Sequence, residues 1–177
     1  MEQIEKRIDW LLGATIGVCV TMLVLLGIGL GAVVLAIPSL FVFQGNIVAQ
    51  IAKKYPAFSP AELPWLLAIL IAVALILVLS FLFIRTLLDI VTSVGTGDPL
   101  TTENAARLEK MAWLAIGVEG VGLAMVGMTW WMSSVLREFD WDFDVDLSTV
   151  VLVLLLFVLA RVFRTGAAMR AELEGTV

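Results

Sequence analysis

Four long apolar segments dominate the hydrophobic pattern of this chain, and short polar segments separate them. The apolar segments cover residues 10–37, 64–84, 113–136 and 147–163. A helix needs about 20 predominantly apolar residues to cross a bilayer. The first three segments meet that length, and the fourth is shorter, with Arg161 near its end. The pattern predicts an all-α polytopic membrane protein, in which residues 1–177 form a single transmembrane four-helix bundle.

The connections between these segments carry helix signals of their own. Residues 47–55 form a weakly amphipathic stretch, which suits the surface of a membrane. Ser59 followed by Pro60 is typical of a helix start and precedes the second segment. Thr101 or Thr102 is expected to cap a helix that runs into the third segment. We therefore predict that the third and fourth helices extend beyond the membrane on one side.

Lysine and arginine are distributed unevenly between the two sides of the predicted membrane. Eight flank the termini and the second connection: Lys6, Arg7, Arg85, Arg107, Lys110, Arg161, Arg164 and Arg170. Three flank the other two connections: Lys53, Lys54 and Arg137. Because short cytoplasmic loops carry the excess of Lys and Arg, both termini are predicted to be cytoplasmic. The expected location is the plasma (inner) membrane.

Composition excludes several functional classes. Hydrophobic residues make up 61% of the chain, and its mean hydropathy is +1.05. The lipid bilayer must therefore take the place of water as the solvent around most side chains. The net charge of -5 argues against direct nucleic-acid binding. With one cysteine and no histidine, the chain lacks the usual residues of zinc sites and nucleophilic relays. We expect no cofactor, no metal site and no enzymatic activity.

Glu119 is the one carboxylate within the third apolar segment. It lies six residues beyond Trp113, roughly 9 Å into the bilayer. Ionised groups at such a depth usually face the bundle interior and have a partner, and Arg85 and Arg161 are the nearest candidates. Glu119 is interpreted either as a proton or cation site, or as a structural ion pair or a protonated carboxyl between helices.

Small residues recur at helical spacing on two of the predicted helices. They are Gly13 with Gly17 and Gly27 with Gly31 on the first, and Gly117, Gly120, Ala124 and Gly127 on the third. Such faces allow helices to approach closely. Packing within the bundle is the favoured explanation, and a homo-oligomer interface is the alternative.

Acidic residues alternate with apolar ones between the third and fourth segments. Asp140, Asp142, Asp144 and Asp146 would share one side of an extended segment. A calcium loop of the EF-hand type also needs Gly at its sixth position and Glu at its twelfth. Neither residue stands there, so a solvated acidic surface is favoured over a calcium site.

Two stretches resemble the DUF2975 family of membrane proteins. The first comprises Gly97-Asp98-Pro99-Leu100, Thr102-Glu103-Asn104 and Arg107-Leu108, where the family has a Gly-x-Pro-Phe turn before an Asn and a Leu. The second comprises Val162-Phe163-Arg164-Thr165-Gly166, Met169, Arg170, Glu172 and Thr176-Val177. Leu100 departs from the usual aromatic residue.

The resemblance implies a partner on the cytoplasmic side. Members of the family are commonly encoded beside a small helix-turn-helix DNA-binding protein, which implies a membrane protein that binds or sequesters that regulator in response to a membrane or environmental signal. The candidate docking residues are Asn104, Arg107, Leu108, Phe163, Arg164, Gly166, Arg170 and Glu172. The alternative for this surface is that Asn104 caps its helix and the tail packs against the loop. The alternative function is a small transporter or channel subunit that uses Glu119.

Overall fold

The computed structural model describes residues 2–54, 59–95, 99–136 and 147–174, with side chains described for 10–53, 59–95, 99–130 and 147–173. The acidic segment 140–146, Arg137, the turn residues Gly97 and Asp98, and the terminal Thr176-Val177 lie outside these ranges. So do the side chains of Lys6, Arg7 and Lys54.

Five α-helices account for nearly all of the described residues, which contain no strand. They are α1 (Glu2–Val42), α2 (Gln44–Lys54), α3 (Leu63–Gly95), α4 (Thr102–Leu136) and α5 (Leu147–Glu174), with a short 3-10 turn at Pro60–Glu62. Four of the helices are long and apolar enough to cross a bilayer, over Trp10–Val42, Pro60–Gly95, Thr102–Trp130 and Leu147–Leu173. The prediction of an all-α protein with four helices long and apolar enough to span a membrane is confirmed.

Helix α1 continues past the predicted end of the first span. Pro38 lies inside the helix, which ends at Val42 rather than Ile37. A proline removes one backbone donor, but helices in membranes tolerate this loss when the surrounding groups satisfy the freed carbonyl. The backbone N–H of Phe43 then donates to the Ser39 carbonyl at 2.9 Å. This bond leads the chain directly into α2, which covers most of the predicted amphipathic stretch.

The two predicted helix starts are present. Ser59 precedes the 3-10 turn, and its hydroxyl accepts a hydrogen bond from the backbone N–H of Ala61 at 3.3 Å. At the start of α4, the hydroxyl of Thr101 accepts from the N–H of Asn104 at 3.1 Å. The carbonyl of Thr101 accepts from the N–H of Ala105 at 3.1 Å. Thr101 is therefore the cap of α4, and it satisfies donors that the first turn of a helix leaves without partners.

The helical bundle is packed in chain order. Helix α1 packs against α3, α3 against α4, and α4 against α5. No comparable contact joins α1 to α4 or α5 within the described residues. Because lipid tails are as apolar as the side chains, a membrane bundle gains no hydrophobic energy by closing on itself. The four long helices consequently form an open arrangement with α1 at one edge.

Contacts between neighbouring helices show which residues lie at the same height along the bundle axis, which we call the same level. Leu12 of α1 lies against Gly95, close to the end of α3, and Gly29 lies against Leu77. The apolar start of α1 thus runs beside the last turns of α3, which follow the predicted second span. We call the end of the bundle where α3 ends and α4 begins the α3–α4 end.

Most of the buried residues lie toward the α3–α4 end. One apolar cluster joins three helices and contains Ile90, Leu108, Met111, Ala112, Leu156 and Ala160. Thr86 and Asn104 are the buried polar residues of the described chain. Between this cluster and the opposite end, large apolar side chains are widely exposed, as expected where lipid surrounds the helices. The α3–α4 end is therefore packed like the core of a water-soluble domain.

The small residues divide into two groups, according to whether a neighbouring helix lies close to them. A Cβ added to Gly117 would lie 3.3 Å from Cδ1 of Leu79, so this glycine allows α4 to approach α3 closely. Gly120 and Gly127 on the same helix would meet nothing within 4 Å. The same holds on α1 for Gly13, Gly17, Gly27 and Gly31. Packing within the chain explains Gly117, but it does not explain the paired glycines of α1.

Candidate functional site

Asn104 is the centre of a buried hydrogen-bond network at the α3–α4 end. Its side chain is fully buried. Its Nδ2 donates to the hydroxyl of Ser93 on α3 at 2.7 Å and to the carbonyl of Pro99 in the connection at 3.1 Å. The Ser93 hydroxyl in turn donates to the carbonyl of Ile90 at 2.7 Å. A buried amide whose donors are both used holds its neighbours in one arrangement, so Asn104 fixes the α3–α4 connection.

Arg107 extends this network toward the surface. Its Nη1 donates to Oδ1 of Asn104 at 2.9 Å and reaches the carbonyl of Asp89 at 3.4 Å. Its Nη2 donates to Oε1 of Glu103, one turn earlier, at 2.6 Å. The Arg107 side chain is 25% exposed and the Glu103 side chain 73% exposed. Arg107 therefore links a buried amide to a solvated carboxylate, and its charge is paired along the way.

The tail of α5 packs beside this network. A Cβ added to Gly166 would lie 3.5 Å from both Cδ atoms of Leu100, so the tail rests directly on the α3–α4 connection. Two residues before Gly166, Nη2 of Arg164 donates to Oε2 of Glu109 on α4 at 2.7 Å. An apolar contact and an ion pair thus hold the tail against the rest of the bundle.

The predicted docking residues separate into buried and accessible groups. Asn104 and Leu108 are buried, Phe163 packs against the apolar cluster, and Gly166 lies against the connection. These four residues lie inside the helix packing. The accessible ones are Arg164, Arg170 and Glu172, while Arg107 is half-buried. Of the two alternatives for this region, packing of the tail against the loop is present, although Thr101 rather than Asn104 caps the helix.

Glu119 lies in a cleft that three helices share. The cleft has a volume of about 260 Å³ and brings Ser80 of α3 and Thr149 of α5 to the same place as Glu119. The remaining lining is mainly apolar, including Phe83 and Leu152. The Glu119 carboxylate makes no hydrogen bond or ion pair with any residue that the structure describes. The cleft therefore holds a carboxylate with two hydroxyl groups nearby.

The two arginines expected near Glu119 lie at a different level. Arg161 stands between Phe157, whose ring contacts Trp113, and Arg164, which pairs with Glu109. Along α4 this level is roughly two helical turns from Glu119, about 11 Å. Arg85 is exposed at a similar level on α3. Neither arginine forms an ion pair with Glu119 in the described structure.

Comparison with known protein families finds a match to this chain. The model of the family described as protein of unknown function (DUF2975) matches residues 46–177. The chain belongs to the DUF2975 family. No curated protein and no solved structure matches it.

The part of this DUF2975 protein that matches the family model includes the whole Asn104 network. The match begins within α2 and covers α3, α4 and α5, while α1 precedes it. The residues of the two stretches that resembled the family lie together in space, because Leu100 contacts Gly166 and Glu109 pairs with Arg164. In this DUF2975 protein, many residues of those stretches hold the α3–α4 end together.

Several residues of these sites were not predicted from the sequence. Ser93 and the Pro99 carbonyl complete the network around Asn104, and Ser80 and Thr149 line the Glu119 cleft. Serine and threonine are common in membrane helices, so their presence gave no signal. Their roles depend on the register between neighbouring helices, which a hydrophobic pattern alone does not give.

Proposed function

We propose that this DUF2975 protein is a membrane-embedded binding protein that holds a soluble helix-turn-helix regulator at its α3–α4 end. It is a binding protein rather than an enzyme. The α3–α4 end is the cytoplasmic end, and both termini are cytoplasmic in the plasma membrane. This orientation is supported by the eight basic residues on that side of the chain against three on the other.

One observation supports this proposal above the others: three helices project together beyond their apolar segments. Helix α3 continues from Ile84 to Gly95, α4 begins at Thr102 well before Trp113, and α5 continues past Arg161 to Glu174. The projecting turns share an apolar core and the buried Asn104 network. A short turn would suffice to connect two membrane helices. A packed helical extension instead offers a shaped surface to a soluble protein.

The docking surface that we propose is an apolar patch formed by Leu100, Met169 and Leu173. Met169 is 57% exposed and Leu173 72% exposed, and they lie four residues apart on one side of α5. Leu100 is 40% exposed and packs against Gly166, one turn before Met169. Exposed apolar groups outside the membrane mark interaction sites, and methionine adapts its shape to different partners.

The residues predicted from the family resemblance have two roles in this proposal. Arg170 and Glu172 are accessible and provide charges near the apolar patch, whereas Arg164 is accessible but pairs with Glu109 on another side of α5. Asn104, Leu108, Phe163 and Gly166 act indirectly, because they hold the α5 tail in place. A signal can reach the regulator only if the regulator binds two conformations of the bundle with different affinities. Movement of the α5 tail relative to the Asn104 network would provide such a difference.

The test is a binding measurement with the full-length chain in lipid nanodiscs. The partner to be tested is a helix-turn-helix protein encoded beside this chain, as the family resemblance implies. The double variant M169E/L173E should weaken binding about tenfold or more, because it places charge in the centre of an apolar interface. The control A106E adds one such carboxylate at an exposed position of α4 and should leave affinity unchanged. Failure of the unmodified chain to bind, or an equal loss in both variants, would reject the proposal.

A second candidate function is transport of protons or cations, and the Glu119 cleft favours it. Hydroxyl groups from Ser80 and Thr149 beside a carboxylate are suitable ligands for a small cation or for a proton pathway. In proteoliposomes, E119Q should abolish a proton or cation flux, whereas E103Q at the α3–α4 end should preserve it. A flux that is absent from the unmodified protein, or equal in E119Q, would exclude this function.

A further inference from the structure

A second cleft lies between α4 and α5 near the α3–α4 end. It has a volume of about 500 Å³, and Glu109 of α4 forms one side. The other side is a continuous face of α5 that includes Phe157, Ala160, Arg161, Arg164 and Thr165. The apolar patch formed by Leu100, Met169 and Leu173 is on a different side of α5. The cleft is therefore a separate surface from the proposed docking site.

The charges in this cleft leave one arginine available. Arg164 is neutralised by Glu109, with Nη2 and Oε2 2.7 Å apart. Arg161 is exposed, and its guanidinium has no ion pair or hydrogen bond within the described structure. Cleft residues thus carry a net positive charge, and the Arg161 guanidinium provides it. A guanidinium presents several donors in a planar arrangement that matches a phosphate group.

The position of the cleft relative to the membrane favours an amphiphilic ligand. Arg161 immediately follows the apolar part of α5, and Phe157 lies one turn deeper. The Phe157 ring makes an edge-to-face contact with Trp113 at a centroid distance of 5.9 Å and an interplanar angle of 83°. Trp113 is 62% exposed, and tryptophan is enriched at the level of lipid headgroups. The cleft is thus apolar toward the span and cationic toward the α3–α4 end.

We propose that this cleft binds the headgroup phosphate of an anionic phospholipid. Arg161 is the principal phosphate contact, and Arg164 lies beside it in its ion pair with Glu109. The acyl chains run along Phe157 and Trp113 toward the centre of the membrane. Basic pockets between membrane helices at the headgroup level bind anionic lipids in this way. A soluble anion would gain nothing from the apolar half of the cleft.

The test measures lipid retention by native mass spectrometry of the full-length protein released from detergent. Phosphatidylglycerol and phosphatidylcholine with the same acyl chains are compared. The unmodified protein should retain the anionic lipid in preference, and R161Q should reduce that retention about tenfold, because a charge-assisted contact is lost. R85Q is the matched control, since Arg85 is exposed at a similar level on α3 but lies outside the cleft. It should leave retention unchanged.

Two further measurements make the assignment specific. R161K, which keeps the charge but not the planar donor arrangement, should retain an intermediate amount, and it serves as the test if R161Q fails to fold. Millimolar inorganic phosphate should leave the lipid bound. Displacement by inorganic phosphate would overturn the lipid assignment in favour of a soluble anion. Equal losses in R161Q and R85Q, or no preference for the anionic lipid, would overturn the proposed site.

Discussion

The α3–α4 end and helix α1 belong to the same bundle but are packed in different ways. At the α3–α4 end, three helices share an apolar cluster, and the buried Asn104 of α4 makes hydrogen bonds to Ser93 of α3 and to Pro99 in the connection. Along the described side chains of α1, only Cys19 and Leu40 are buried, and the paired glycines meet no neighbour. The α3–α4 end is held together by buried contacts between helices, whereas the described side chains of α1 lie mainly at the surface.

The proposed function explains this difference by the solvent around each region. An apolar helix in lipid loses nothing when its side chains stay exposed, so α1 needs only one neighbour. In our proposal the turns at the α3–α4 end leave the bilayer, and such turns must bury apolar groups and satisfy their polar groups, as in a water-soluble protein. The residues of the two stretches that resemble the family are accordingly concentrated at the α3–α4 end, where groups must be buried and hydrogen-bonded.

The largest expected effect comes from Asn104. Replacing it with alanine removes the buried amide that donates to the Ser93 hydroxyl and the Pro99 carbonyl and that accepts from the Arg107 guanidinium. We expect N104A to lower the free energy of unfolding by about 2–3 kcal/mol, measured by denaturant or thermal unfolding in detergent. The same substitution at the exposed Asn46 is the control and should have almost no effect. If N104A unfolds like the parent protein, the network does not hold the α3–α4 end together.

An intermediate effect is expected from the glycines of α4. A Cβ added to Gly117 would lie 3.3 Å from Leu79, whereas one added to Gly120 would meet nothing within 4 Å, although the two glycines are three residues apart on one helix. G117L should overpack the contact with α3 and cost about 1–3 kcal/mol. G120L should be tolerated. Unfolding of the two variants under identical conditions measures the difference, and equal stabilities would contradict the register between α3 and α4.

The smallest effect is expected from the ion pair between Arg107 and Glu103. Because the Glu103 side chain is 73% exposed, E103Q should change stability by no more than about 0.5 kcal/mol. The change should decrease further in high salt, which screens exposed charges. A loss comparable to that of N104A, or one that salt does not reduce, would mean that Glu103 is needed to orient Arg107 within the network.

Features that depend on local pattern could be predicted from the sequence. The apolar segments located all four spans, and the caps at Ser59 and Thr101 marked where helical structure begins. The extension of α4 toward Thr102 followed from that cap. The first span was predicted to end at Ile37, but α1 continues through Pro38 to Val42. Proline is a weaker signal for the end of a helix in a membrane protein than in a soluble protein.

Features that depend on the packing of helices against each other could not be predicted. The sequence contains both Ser93 and Asn104, but nothing in the pattern shows that these side chains meet. Glu119 stands out in the sequence as a carboxylate within an apolar segment, but the polar residues that line its cleft are Ser80 and Thr149 rather than an arginine. The arginines are at a different level because the axial offset between helices is set by contacts such as that between Leu79 and Gly117.

The packing of the helices in chain order has a consequence for biosynthesis. Each membrane helix contacts the one that was inserted before it: α3 lies on α1, α4 on α3, and α5 on α4. Folding can therefore follow translation, since no helix has to wait for a distant one before it docks. The apolar cluster, however, includes Leu156 and Ala160 of α5. The α3–α4 end thus acquires its complete core only when the last helix emerges from the ribosome.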